Sequence, residues 1–146
     1  MSNQQGFTLV ELMVVIAIIA TLSAIGLPGY QRYLDNAALT DMLRMLSPYK
    51  SAVELCAMEQ GEIDGCHSGE FGIPDDLSSR YVAAVEVNAG VIRLTGRQGL
   101  QGLTLVLTPQ RHANGLRWSR RCEAAGGAER LQRPCQSLFR FDDMQE

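Results

Sequence analysis

The residues of this chain best suited to nucleophilic or metal chemistry are four cysteines, Cys56, Cys66, Cys122 and Cys135, and two histidines, His67 and His112. A structural zinc site needs closely spaced pairs such as C-x2-C, and a haem attachment needs C-x-x-C-H. Neither pattern occurs, although His67 directly follows Cys66. Both histidines fall in loop-like sequence, with no serine or thiol nucleophile in a recognisable motif, no Gly-rich phosphate loop and no dinucleotide fingerprint. The reading is therefore of no enzyme, no cofactor and no metal. An even number of cysteines instead supports a disulfide framework formed in an oxidising compartment. Three connectivities are open to four cysteines, and the two sequence-local pairs, Cys56 with Cys66 and Cys122 with Cys135, are the ones expected. Each would contribute about 3 kcal/mol in the chain-entropy description.

One carboxylate remains. The first six residues are polar and end in Gly6, and from Phe7 to Leu27 the only charged side chain is Glu11. About twenty apolar residues span a bilayer as a helix, and a charge at the centre of such a span costs roughly 2.5 to 3.5 kcal/mol on insertion scales. Glu11 lies four residues beyond Phe7, about 6 Å along a helix, so its carboxylate can lean toward the headgroups. An ordinary secretory signal has a basic start and is cut after its apolar core. Here the polar piece comes first, and cutting between Gly6 and Phe7 leaves the whole apolar helix on the mature chain. The leader carries neither Lys nor Arg, so orientation by the positive-inside rule rests on the initiator amine, with Arg32 on the far side.

The stretch Gly6-Phe7-Thr8-Leu9-Val10-Glu11-Leu12 resembles the class III leader junction of type IV pilins and of the pseudopilins of type II secretion. The likeness continues through Pro28, Tyr30, the run from Ala37 to Leu43, the run from Ala52 to Cys56, and the ending Phe139-Arg140-Phe141-Asp142-Asp143. Together these resemble the type IVa major pilins of enteric bacteria. The resemblance implies that a prepilin peptidase cuts after Gly6 and methylates the amine of Phe7, and that Glu11 helps a subunit dock into a filament. It implies a type IV pilin fold of the α+β class: a long N-terminal helix, membrane half plus amphipathic half, packed on a four-stranded antiparallel sheet with two disulfides. The function implied is that of the major structural subunit of a type IV pilus, a fimbrium associated with cell adhesion. Its implied partners are copies of itself, the prepilin peptidase, the inner-membrane pilus assembly machinery and minor pilins. Residues 1–6 would be the leader, 7–33 the membrane and filament-core helix, and 34–146 a periplasmic globular domain that ends up in the extracellular pilus.

The residues themselves support that division. The roughly 110 residues after Tyr33 suit one small domain. From Asp35 to Met58 the sequence reads as an amphipathic helix, with Leu39, Met42, Leu46, Tyr49, Val53 and Cys56 recurring every three or four residues. Between the helical stretches, Gly26, Pro28 and Gly29 cluster, and Pro28 removes an amide donor, so a kink or melted turn is expected there. Pro48 should bend the second stretch gently. Residues from Gly61 to Arg80 have loop composition, followed by strand-like runs at Tyr81–Val87, Val91–Thr95, Leu103–Thr108 and Leu116–Arg120. Asn88-Ala89-Gly90 and Asn114-Gly115 are turn signals, so an antiparallel meander is expected, with Phe139 and Phe141 folding back onto it.

Charge is ordered along the chain. Seven acids and no Lys or Arg lie between Ser51 and Ser79, whereas seven arginines lie between Arg111 and Arg140. The split can be settled inside one subunit, or it can place Asp75 and Asp76 of one subunit against Arg121 and Arg133 of the next, which sets register and orientation more than affinity. Two rival functions stay open: a pseudopilin or minor pilin of a secretion system, and a membrane-tethered binding module. Nucleic-acid binding by the single subunit is disfavoured by a net charge of −3 and by loop arginines without aromatic interleaving.

Overall fold

The computed structural model describes residue 3 and residues 5–140, so Phe141, part of the expected C-terminal fold-back, lies outside the described residues. The element order is α1 (Leu9–Gln60), β1 (Val82–Asn88), β2 (Val91–Gly96), β3 (Leu103–His112), β4 (Gly115–Ala124) and α2 (Gln132–Leu138), with short 3-10 turns at Gln98–Leu100 and Glu129–Leu131. The chain forms two compact units, one ending at Leu34 and one beginning at Asp35.

In the first unit every described residue is exposed, including Ile18, Leu22, Ile25 and Leu27. The apolar half of α1 therefore has no partner within its own unit. The expected melted turn is not formed, because α1 is continuously helical through Gly26, Pro28 and Gly29. Proline removes its own amide bond and its ring crowds the carbonyl four residues back, a local defect that the turns on either side span by propagating the helix. The helix also continues through Pro48.

The second unit places its core between α1 and one face of the sheet. The stripe Leu39, Met42, Leu46, Tyr49, Val53 and Cys56 is buried to within 1% of full burial. It meets Val82, Val85, Val87, Ile92, Leu94, Leu103, Leu105, Leu107 and Trp118, the inward positions of the strands. The sheet is an antiparallel meander in the order β1-β2-β3-β4. Strands β3 and β4 run longer than the sequence suggests, in register from Leu103↔Ala124 to His112↔Gly115. Pro109 is tolerated because β2 pairs with β3 only as far as Ile92↔Leu107, so Pro109 lies where β3 has become an edge. At the first hairpin Gly90 takes φ +76°, and a Cβ there would collide with Ile63. The disulfides join Cys56 to Cys66 and Cys122 to Cys135, and the second holds α2 so that Leu131 and Phe139 close the core.

The long loop is a strap along the free edge of β1. A β-bulge between Val82 and Ala84 shifts the strand's parity. Amides at Val82, Val85, Val87 and Ala89 are then satisfied by Ser79 Oγ at 3.2 Å, Asp76 Oδ1 at 2.8 Å, Ser68 Oγ at 2.8 Å and His67 Nδ1 at 3.3 Å. Acceptors on the strap thus cover an edge that would otherwise template pairing with another chain. The strap is pinned to α1 as well. Tyr49 OH donates to the Asp75 carbonyl at 2.5 Å and accepts from the Leu77 amide at 3.0 Å, and Ser79 Oγ donates to Asp41 at 2.5 Å.

Candidate assembly site

Helix α1 begins with a reciprocal cap. Thr8 donates its backbone N–H and its hydroxyl to Glu11 Oε2 at 2.9 and 3.0 Å, and the Glu11 amide donates to Thr8 Oγ1 at 3.2 Å. This is a capping box, T-x-x-E, satisfying two amides that the first turn leaves without helical partners. The sequence carries that signal immediately before the apolar run, and reading Glu11 only as an isolated charge missed it. Glu11 is exposed, as are Gly6 and Phe7 beside it, and Phe7 keeps 88% of its surface. The Gly6–Phe7 bond therefore lies just ahead of the cap, outside regular helix.

The apolar face behind the cap has a mean hydropathy of 2.4 over its 18-residue window, long and apolar enough to cross a membrane. Ala17, Ala20, Ser23, Ala24 and Gly26 provide small positions on it, where a neighbouring helix can approach closely. Thr21 turns its hydroxyl back to the Ile18 carbonyl at 2.8 Å, so it presents no unsatisfied donor to an apolar partner. At Gly26 a Cβ would meet nothing within 4 Å, which leaves the surface beside Pro28 open.

The charged candidates are exposed and separate. Asp75 and Asp76 lie on the strap at the β1 edge, Arg121 on β4 at the opposite edge and Arg133 in α2. Among the described residues no ion pair joins either aspartate to either arginine, and Arg121 instead lies 3.5 Å from the exposed Glu123. Asp76 is not a free surface charge, since its carboxylate holds the Val85 amide.

Two polar networks escaped the sequence reading, each of which includes one partner distant in the chain. Asp35, 8% exposed, accepts from Arg130 at 3.2 Å, and Arg130 also donates to the Gly99 carbonyl at 3.2 Å. Glu54 accepts from Lys50 at 2.7 Å and from Trp118 Nε1 at 2.8 Å. Burial works to raise the Glu54 pKa, but the hydrogen bonds from Lys50 and Trp118 and the Lys50 charge outweigh it, so the carboxyl sits below its ordinary value. Burial pushes the Tyr49 hydroxyl up; the Leu77 amide opposes this and the nearby Asp76 and Asp75 add to it.

All four cysteines are disulfide-bonded, and His67 spends Nδ1 on the Ala89 amide. No group of three or more His, Cys, Asp or Glu side chains that could hold a metal occurs among the described residues.

Residues 1–27 match the prokaryotic N-terminal methylation motif. The chain is 54% identical over 145 residues to prepilin peptidase-dependent protein D of Escherichia coli K12, covering 98% of this chain and 99% of that one. It is 34% identical over 122 residues to the type IV major pilin protein PilE1 of Neisseria gonorrhoeae, covering 79% and 68%. The solution NMR structure of the major type IV pilin PpdD from enterohemorrhagic E. coli superposes with a TM-score of 0.64 at 49% identity, over 76% of this chain and 85% of that one.

Proposed function

The chain belongs to the type IV pilin family, whose members are structural subunits and not enzymes, and we propose that it is the major subunit of a type IV pilus. The observation that carries this reading is the coincidence of a methylation-motif junction with an apolar helix that its own unit leaves wholly unpartnered. A prepilin peptidase cuts between Gly6 and Phe7 and methylates the new amine. Before assembly the helix holds the subunit in the inner membrane with the second unit in the periplasm. The assembly machinery then extracts it, alongside minor pilins, into an extracellular filament.

The cap explains how Glu11 takes part. In the uncut chain its carboxylate is occupied by Thr8, so it enters the membrane with hydrogen bonds already made. Cutting creates an ammonium at Phe7 on every copy, and a neighbour's ammonium offers Glu11 a charge-assisted partner that Thr8 cannot match in apolar surroundings. Helix exchange from lipid to helix is otherwise driven by close packing, for which the small positions from Ala17 to Gly26 are suited. Surfaces that repeat head to tail without closing generate a helical filament. Gly26 and Pro28 are the positions at which the helix can bend on entering it.

Immunogold electron microscopy tests this directly. Long surface fibres labelled along their length are expected from a strain expressing the chain with its assembly machinery. Label confined to the periplasm and inner membrane would favour a pseudopilin of type II secretion, which shares the junction and the helix.

A further inference from the structure

Only two charged side chains occur in the sequence up to Leu34, Glu11 and Arg32. They stand 21 residues apart on one continuous helix. At the α-helical rise that separation is about 32 Å, which matches the roughly 30 Å hydrocarbon layer of a bilayer. When Arg32 is at one boundary of that layer, Glu11 is at the other. Sliding the helix in either direction draws one of the two charges into hydrocarbon, where it is strongly disfavoured.

Arg32 has amphipathic neighbours. Tyr30, Gln31, Arg32 and Tyr33 are successive residues, and at about 100° of rotation per residue they encircle the helix. All are exposed, Tyr30 by 62% and Tyr33 by 68%. Among the described residues no hydrogen bond or ion pair engages the Arg32 guanidinium. A tyrosine at a membrane boundary keeps its ring in the apolar zone and its hydroxyl in the wet one. An arginine keeps its stem beside apolar groups and offers a phosphate two parallel N–H bonds. A ring closed around the whole helix suits a layer that surrounds it, whereas a single neighbouring helix would engage one face. Orientation is not what Arg32 serves, because a cation on the far side works against the positive-inside rule.

We propose that Tyr30, Arg32 and Tyr33 form a girdle that binds the phosphate-bearing headgroups of the periplasmic leaflet and, with Glu11 at the opposite boundary, fixes the depth of the unassembled subunit in the membrane. The proposal rests on the membrane-anchored pilin reading and deepens it by naming the lipid groups that hold the subunit and the residues that hold them.

Cysteine accessibility in the full chain, reconstituted in vesicles of phosphatidylethanolamine and phosphatidylglycerol, tests it. The native cysteines are all disulfide-bonded, so a water-soluble maleimide supplied to both faces reports only an introduced thiol. With the girdle intact, Leu34→Cys should label nearly as fast as the exposed reference Thr40→Cys, and Ile18→Cys should be protected. Adding Tyr30→Leu, Arg32→Leu and Tyr33→Leu lengthens the apolar run, and the tilt that accommodates it should slow labelling at position 34 by about tenfold against the reference. Tyr30→Trp, Arg32→Lys and Tyr33→Trp together should keep the parental rate. Unchanged labelling in the all-leucine variant would overturn the girdle and leave the anchor standing, and so would loss of labelling in the conservative one. Labelling at position 34 that rises as lipid is added at constant protein would put a second copy on the ring and overturn the lipid assignment. Fast labelling of Ile18→Cys would overturn the anchored reading as well.

Discussion

Thr8 and Glu11 hold each other at the first turn of α1, each side chain accepting from the other's backbone amide. The cap and the charge of Glu11 can therefore be separated by mutation. Glu11→Gln retains a carbonyl oxygen that can accept from Thr8, whereas Glu11→Leu loses cap and charge together. If pairing with a neighbour's ammonium drives docking, both variants should insert normally and both should fail to make fibres. Piliation by Glu11→Gln at the parental level would mean that capping, worth about 1 kcal/mol, is all that the residue does.

Tyr49→Phe should loosen the strap. The substitution leaves the Leu77 amide and the Asp75 carbonyl without their partner, a loss of about 1 to 3 kcal/mol. Urea unfolding of the detergent-solubilised chain should register it, and faster amide exchange at Leu77 should locate it. The tyrosine also sets an alkaline limit. Its pKa is raised in the folded state, so its contribution is complete below the ordinary value of 10.0 and lost as pH rises through the folded value. Tyr49→Phe should remove that part of the alkaline dependence.

Glu54 sets the opposite limit. Its folded pKa lies below the ordinary 4.5, so its stabilisation is complete above that value and is lost as pH falls through the lower folded one. The side chain is 39% exposed, and solvent screening keeps the effect small. Glu54→Gln should flatten the acid limb of a Tm-against-pH curve below pH 4.5, and an unchanged limb would assign acid sensitivity elsewhere.

Reversing Arg121 and Arg133 together, to Glu, should lower piliation without lowering the Tm of the solubilised chain. Both are exposed and neither is joined to Asp75 or Asp76 within the subunit. Asp75→Lys is the appropriate compensating change, because Asp76→Lys would break the bond to the Val85 amide and open the β1 edge. Each exposed pair is worth only about 0 to 1 kcal/mol, so restoration should be partial. Unfolding by the double reversal would place these charges in the service of the fold.

What could be read from the sequence was what repeats locally. The stripe from Leu39 to Cys56 was legible because helical periodicity and burial coincide, and the hairpin turns at Gly90 and Gly115 were legible because few residues tolerate their backbone. Strand ends were less so, since Pro109 suggests an end to β3 until it is known that β2 has already stopped. Asp35 with Arg130 and Glu54 with Trp118 are joined across 95 and 64 residues, and no local pattern announces such pairs. The melted turn that Pro28 suggested is absent for a different reason: the proline is a local defect, and cooperative propagation keeps the turns on either side helical. The junction was the most legible part of the site, yet the Thr8 to Glu11 cap was overlooked although its pattern stands in plain sequence.

The most direct test of the whole account is the intact mass of the subunit taken from shed surface fibres, measured before and after reduction. The account predicts a chain beginning at Phe7, one methyl group heavier than its sequence, and gaining four hydrogens on reduction of two disulfides. Gly6→Arg should abolish both the processed species and the fibres. A fibre subunit beginning at Met1, or fibres that contain no trace of this chain, would contradict it.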